Sequence, residues 1–512
     1  MTTQQDHSTL TVDTAAGTVR GQWLDGVARF AGIPYAEAPV GALRFRAPQP
    51  RNPWQGVFDA TEFGPIAPQN PSFMDLLFGL EPEPQSEDCL RLNIYTPDPG
   101  LSGDEALPVM FWIHGGAFEM GSGSTSIYDG TAFAKQGAVF VSINYRLGPL
   151  GFLELSGLDD EFLGSGNAGL LDQIEALRWV QTNIARFGGD PDNVTVFGES
   201  AGSMSTSLLM SSSLTDGLFH RAICQSGGVN AARDLEFART EGAEVMRLGG
   251  WSSVTEAQNA PLADLLAVHA TIMAQRWGNP NTTLAESGEL LAAMAFRPVR
   301  DGHAVPTDPL AAIAQGAAAG VPLVIGHNRD EWRLFALLMP GAETEEQLVE
   351  RATLLGADAA TLIEAYRIDH PEASPAELEC AIITDIVFRV PTAELAAAHS
   401  SHAPVWQYQF DWESPMLGAA HAVELPFVFS QLHDTRLAPL FGPEPPQQVA
   451  DAMSNAWATF ARDGIPSIAS LDSWPHLPGN GSRPVVRFDV ETTLDDNPLA
   501  ASLAYWLRGA NG

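Results

Sequence analysis

Gly198-Glu199-Ser200-Ala201-Gly202 constrains this chain more than any other stretch. It follows a short apolar run, Val194–Phe197, and precedes a segment with helical character, Ser203–Met210. Glycine at −2 and +2 of a serine, between a strand and a helix, predicts a turn too tight for side chains on either flank. Such a turn strains the serine backbone and presents its hydroxyl at the N-terminus of the next helix. Unpaired N–H groups and the helix dipole there favour developing negative charge. A plain strand–helix turn fits these five residues equally well, so the rest of the chain has to decide.

Short apolar runs at 109–113, 138–143, 194–197, 222–224, 321–325 and 405–410 read as buried parallel strands. Amphipathic segments lie between many of them, such as Leu170–Val180. The alternation implies an α/β fold: a large, mostly parallel central sheet flanked by helices. Sites in such folds lie beyond the carboxyl ends of the strands, where Ser200 falls. Residues 10–46 read as antiparallel hairpins and loops, and Ala67–Asp88, rich in proline, phenylalanine and acidic residues, as a surface loop. Alanine-rich helices over roughly 230–320 and 340–400 are expected to be insertions that cap the sheet of a single domain spanning 1–512.

The net charge of −35 argues against nucleic acid and anionic membranes as partners. No apolar run reaches the ~18 residues of a membrane span, and the N-terminus lacks the pattern of a signal peptide. Cys89, Cys224 and Cys380 make an odd, sparse set. That argues against a disulfide framework and for a reducing, cytoplasmic setting. With no C-x-x-C or H-E-x-x-H pattern, neither a metal nor an organic cofactor is implied. A small-molecule substrate, on a monomer or weak homo-oligomer, is the expectation.

A nucleophilic serine needs an oxyanion site, a base and an acid. His114-Gly115-Gly116-Ala117-Phe118 directly follows the run ending at Ile113 and is similar to the glycine-rich loops of esterases and lipases. The N–H groups of Gly116 and Ala117, with that of Ala201, are the candidate donors, each worth about 3 kcal/mol in other hydrolases. Asp330 and Glu331 both follow the run at 321–325 as candidate acids, and residue chemistry does not choose between them. Among His370, His399, His402, His421, His433 and His476, His421 leads, because it sits in a small-residue loop beyond a core strand. His399 and His402 flank a helix end and read as solvated or capping groups.

Val196–Gly202 resembles the active-serine signature of the type-B carboxylesterases, an α/β-hydrolase family that includes bacterial p-nitrobenzyl esterases and cholinesterases. Glu87–Asn93 resembles the second signature of that family, with further matches at Gly32–Tyr35, Asn144–Gly148, Phe187–Pro191 and Trp457–Phe460. The resemblance implies Glu331 as acid and His421 as base, in acyl transfer through Ser200. It implies Ser226 as a serine hydrogen-bonded near the triad. It implies Glu199 as a buried acidic neighbour, either tuning the histidine or structural.

The departures matter too. The resemblance implies a free Cys89, since residues 63–68 hold no cysteine to pair with it. The loop at 67–88 has no tryptophan where cholinesterases carry their choline-binding aromatic, which disfavours choline esters. Ala292 and Met294 fall where acetylcholinesterases carry two phenylalanines, implying a roomier acyl pocket, unless these are core positions in a register shifted by one. A catalytically dead interaction protein is the competing class. It is disfavoured because every catalytic position is kept. Carbamate or amide hydrolysis, or acyl transfer to an alcohol, share the same acyl-enzyme and stay open.

Overall fold

The computed structural model describes residues 10–79, 81–277, 294–339, 341–355, 358–479 and 482–509. The chain begins with β1 (Thr11–Asp13), β2 (Thr18–Arg20), β3 (Gln22–Leu24), β4 (Val27–Pro34) and β5 (Val57–Asp59). It continues with β6 (Arg91–Thr96), β7 (Leu107–Ile113), β8 (Val139–Ile143), β9 (Gly189–Glu199) and β10 (Arg221–Gln225). It closes with β11 (Leu323–Asn328), β12 (Val405–Phe410), β13 (Pro484–Phe488) and β14 (Thr493–Asp496). Strands β1, β2 and β5 make a small sheet, and the other eleven form one sheet in the order β3-β4-β6-β8-β7-β9-β10-β11-β12-β13-β14. From β8 to β13 every pairing is parallel, and the outer strands are antiparallel.

The central strands are nearly continuous hydrophobic runs because helices cover both faces. Val109, Phe111 and Ile113 of β7 pack into one core cluster, and Met110 and Trp112 into a second. The helix Ala168–Asn183 buries Leu170, Ile174 and Leu177 at helical spacing. Its Asp172 takes a bidentate grip from buried Arg146, at 2.8 and 2.7 Å. Removing one partner of such a pair strands a buried charge at a cost of about 3–5 kcal/mol, which gives the Asn144–Gly148 match a structural reason. In the Glu87–Asn93 stretch, Glu87 clasps Arg44 at 2.7 and 2.6 Å, and Cys89 is a buried free thiol.

All six strand runs read from the sequence are strands, within two residues at most ends. Two expectations differ. The stretch 67–88 is not simply a surface loop: it holds a short helix, Phe73–Leu77, and buries Phe78. Its Gln69 Oε1 accepts a hydrogen bond from Gly121 N–H at 2.7 Å, and its Glu83 accepts one from Ser122 at 2.6 Å. It is therefore pinned to the loop after β7. The hairpin β13–β14 has no strong apolar alternation and was not foreseen; it extends the sheet beyond β12. In the described parts of the two alanine-rich regions lie helices, among them Leu235–Gly249, Leu262–Trp277, Ala359–Asp369 and Val390–His399. Among the described residues, no helix is long and apolar enough to cross a membrane.

Candidate active site

Ser200 stands between β9 and the helix Ala201–Ser211 with φ 55° and ψ −123°. Holding a non-glycine residue there costs on the order of 1–3 kcal/mol. The flanking glycines permit it. A Cβ on Gly202 would lie 2.0 Å from the Ile113 carbonyl oxygen, and one on Gly198 would lie 2.4 Å from the Gly202 carbonyl carbon. The Ser200 N–H donates to Gln225 O at 2.9 Å, tying the turn to β10.

The loop after β7 lies against this turn. A Cβ on Gly115 would sit 3.1 Å from Ser200 Cβ. Gly116, Ala117 and Phe118 all take positive φ (101°, 57° and 63°). Among the described residues, the N–H groups of Gly116 and Ala117 donate to no protein acceptor. Ala201 N–H opens the next helix, where no intrahelical acceptor exists. His114 is buried, stacks on Tyr145 at 4.5 Å and lies 2.8 Å from Gly115 O through Nδ1. Burial pushes its pKa down to about 4, so it is neutral.

Geometry separates the two candidate acids. Asp330 turns to Arg329 at 2.8 Å, and both are partly exposed. Glu331 is fully buried. Its Oε2 lies 2.6 Å from His421 Nδ1, while its Oε1 accepts the Asn328 N–H at 2.7 Å. The other imidazole nitrogen, Nε2, lies 3.1 Å from Glu199 Oε1, beside the nucleophile turn. Strands β7, β9 and β11 and the loop after β12 thus bring the Gly116 loop, Ser200, Glu331 and His421 to one end of the sheet.

A family model described as the carboxylesterase family matches residues 8–506. The chain belongs to the carboxylesterase family. Para-nitrobenzyl esterase of Bacillus subtilis is 40% identical to this carboxylesterase over 492 residues, covering 95% of this chain and 96% of the relative. Fumonisin B1 esterase of Sphingopyxis macrogoltabida is 35% identical, over 93% of this chain and 86% of its own. A crystal structure of a carboxylesterase from Geobacillus stearothermophilus superposes with a TM-score of 0.85 at 37% identity, covering 97% of this chain and all of that one (100%). The fold is that of the α/β-hydrolases, and the protein is a carboxylic ester hydrolase working by serine chemistry.

The candidate site of this carboxylesterase is buried and acidic. Glu199, Glu331 and Glu424 surround His421, and all four are buried. Burial lowers the pKa of His421, but Glu199 and then Glu331 and Glu424 outweigh it and push it up to about 9. Burial raises Glu199 to about 8, with His421 opposing. Burial and Glu331 raise Glu424 to about 7, opposed by a hydrogen bond from Asn328. Glu424, three residues after His421, is not among the residues singled out from the sequence. It accepts from Asn328 Nδ2 at 2.6 Å and from Gln225 Nε2 at 3.1 Å, and Gln225 in turn accepts from Trp457 at 2.9 Å. Phe335 and Phe388, also not foreseen, pack on the imidazole with ring centroids at 5.2 and 4.8 Å.

Other site expectations fare unevenly. Ser226 is fully buried at φ 62°, and its Oγ has no hydrogen-bond partner among the described residues, so no bond to the triad is seen. Ala292 lies outside the described residues. Met294 is buried in the core, and its neighbour Ala295 donates to Glu119 Oε1 at 3.1 Å, two residues past Ala117. His399 is not solvated: it is buried with Nε2 2.7 Å from Val321 O, joining its helix end to the approach to β11.

Proposed function

We propose that this carboxylesterase cleaves small to medium neutral esters through an acyl-enzyme on Ser200. His421 is the general base and then acid, and Glu331 its orienting carboxylate. What carries this reading is the position of His421, held at 2.6 Å by Glu331 through Nδ1 while Nε2 faces the nucleophile turn. The Glu331 contact selects the tautomer with the proton on Nδ1, which leaves the Nε2 lone pair for the Ser200 proton. Ser200 Oγ then attacks the ester carbonyl. Gly116, Ala117 and Ala201 N–H groups hold the oxyanion. The imidazolium returns its proton to the leaving alkoxide, and water repeats the sequence on the acyl-enzyme. The described helices within 230–320 and 340–400 support a cap on one sheet, in a chain that works as a single unit. Three free thiols fit a cytoplasmic, reducing setting.

Treatment with a fluorophosphonate, followed by peptide mass mapping, tests this assignment. A stoichiometric adduct on the peptide containing Ser200 is expected, and an adduct on any other serine overturns it. The roomier acyl pocket has its own test. Kcat/KM for p-nitrophenyl butyrate and hexanoate is expected to equal or exceed that for the acetate, and a sharp acetate preference would sink the idea.

Glu199 is the residue whose charge most favours the imidazolium. Since the base must be neutral, activity rises as His421 loses its proton. Glu199→Gln removes a negative neighbour and lowers the His421 pKa. The acid limb of the kcat/KM profile is therefore expected to move to lower pH by about 1 unit or more. An unchanged limb would show that Glu199 serves packing alone.

A further inference from the structure

A cavity of about 30 Å³ lies between strands β11–β13, the helix Val390–His399 and the C-terminal segment. Its walls include His327, Arg389, Gln407, Arg483 and Leu503. Arg389 is buried. Its Nη2 pairs with Asp385 and donates to Ser502 Oγ at 2.9 Å. Its Nε and Nη1 are buried without a hydrogen-bond partner among the described residues. Asp385 also accepts from Tyr366, so its Oδ2 is shared between two donors. Among the described residues, Arg483 meets Asp496 through its backbone N–H and no carboxylate pairs with its guanidinium, whose pKa burial lowers. Burial and then Arg389 push the His327 pKa down. The Gln407 amide points in with its oxygen unpartnered, and the opposite amide orientation would present donors.

The wall is thus rich in donors and, among the described residues, carries the Arg483 charge with no carboxylate partner. Each buried N–H left unpaired costs about 1–3 kcal/mol, more on a charged group. One water needs about 10–15 Å³, so the space suits a monatomic ion with a water beside it better than a bulky phosphate ester. We infer that a halide-sized monoanion binds between Arg389 and Arg483. The site reaches the chemistry through one short piece of chain. Arg389 ends a π-helical turn, Asp385–Arg389, and the adjacent Phe388 packs on His421 at 4.8 Å. Wide turns of this kind inside helices recur at functional sites. The anion therefore steadies the turn that backs the imidazole.

Crystals soaked in sodium bromide, together with thermal melts in chloride against gluconate at fixed ionic strength, test this. A bromide anomalous peak between the two arginines is expected, with a saturable rise in Tm. Arg483→Gln is expected to keep wild-type kcat in gluconate while weakening chloride binding by about tenfold or more. Arg389→Lys, which keeps the charge but loses the fork, is expected to weaken it similarly. No bromide peak in the cavity, or a chloride-induced Tm rise undiminished in Arg483→Gln, overturns the inference. These readouts report ion binding and are independent of the Ser200 assignment.

Discussion

Ser200→Ala is expected to lower kcat on p-nitrophenyl acetate by about 10⁶-fold and to abolish fluorophosphonate labelling. The effect is large because Ser200 is the proposed nucleophile, at the turn that His421 Nε2 faces. The strained turn, the Gly115 approach and the Glu199 contact to His421 all converge on residue 200. The substitution keeps the Cβ that the turn already accommodates and removes one oxygen, so folding is expected to survive it. Circular dichroism and Tm within a few degrees of wild type would establish that the loss is chemical. The oxyanion donors stay, and they leave a residual acceleration of about 10³–10⁴ over water in other serine hydrolases. A loss smaller than about tenfold would move the nucleophile elsewhere.

How much of this was legible in the sequence follows from how local each signal is. The strands announce themselves because burial on both faces demands unbroken apolar runs, as in β7 and β8. The Ser200 turn is legible for the same kind of reason: only glycine fits within 2.4 Å of a neighbouring backbone. The proposed partners of Ser200 are not local. Glu331 and His421 meet 90 positions apart, and only a family resemblance links them before the fold is known. Asp330 and Glu331 are chemically alike in sequence and differ only in which way the turn after β11 points them. Glu424 was hidden because a glutamate beside an apolar run reads as surface. Phe335 and Phe388 were hidden because an aromatic residue in a helix reads as ordinary core. The packed loop at 67–88 shows a related limit: its polar composition suggested solvent, but Gln69 and Glu83 spend their polarity on backbone and hydroxyl partners inside the molecule.

The contrast between adjacent acids supplies the second large effect. Glu331→Gln is expected to lower kcat by about 10⁴-fold, and Asp330→Asn by no more than a few-fold. The reason is the fixed donor on the far oxygen. Asn328 N–H donates to Glu331 Oε1 at 2.7 Å, so a glutamine there keeps its carbonyl oxygen on that donor and turns its NH2 toward His421 Nδ1. Nδ1 must then accept instead of donate. The imidazole proton moves to Nε2, and Nε2 can no longer take the proton of Ser200. The site is fully formed but holds the wrong tautomer, and the stabilising charge on the imidazolium is lost as well. Asp330 has no such role. Its carboxylate meets Arg329 at 2.8 Å with both groups 27–28% exposed, where an ion pair is worth about 0–1 kcal/mol. Steady-state kinetics on both variants, with Tm as the control for folding, separates the two. If Asp330→Asn were the crippled enzyme and Glu331→Gln the active one, the roles of the two acids would have to be exchanged.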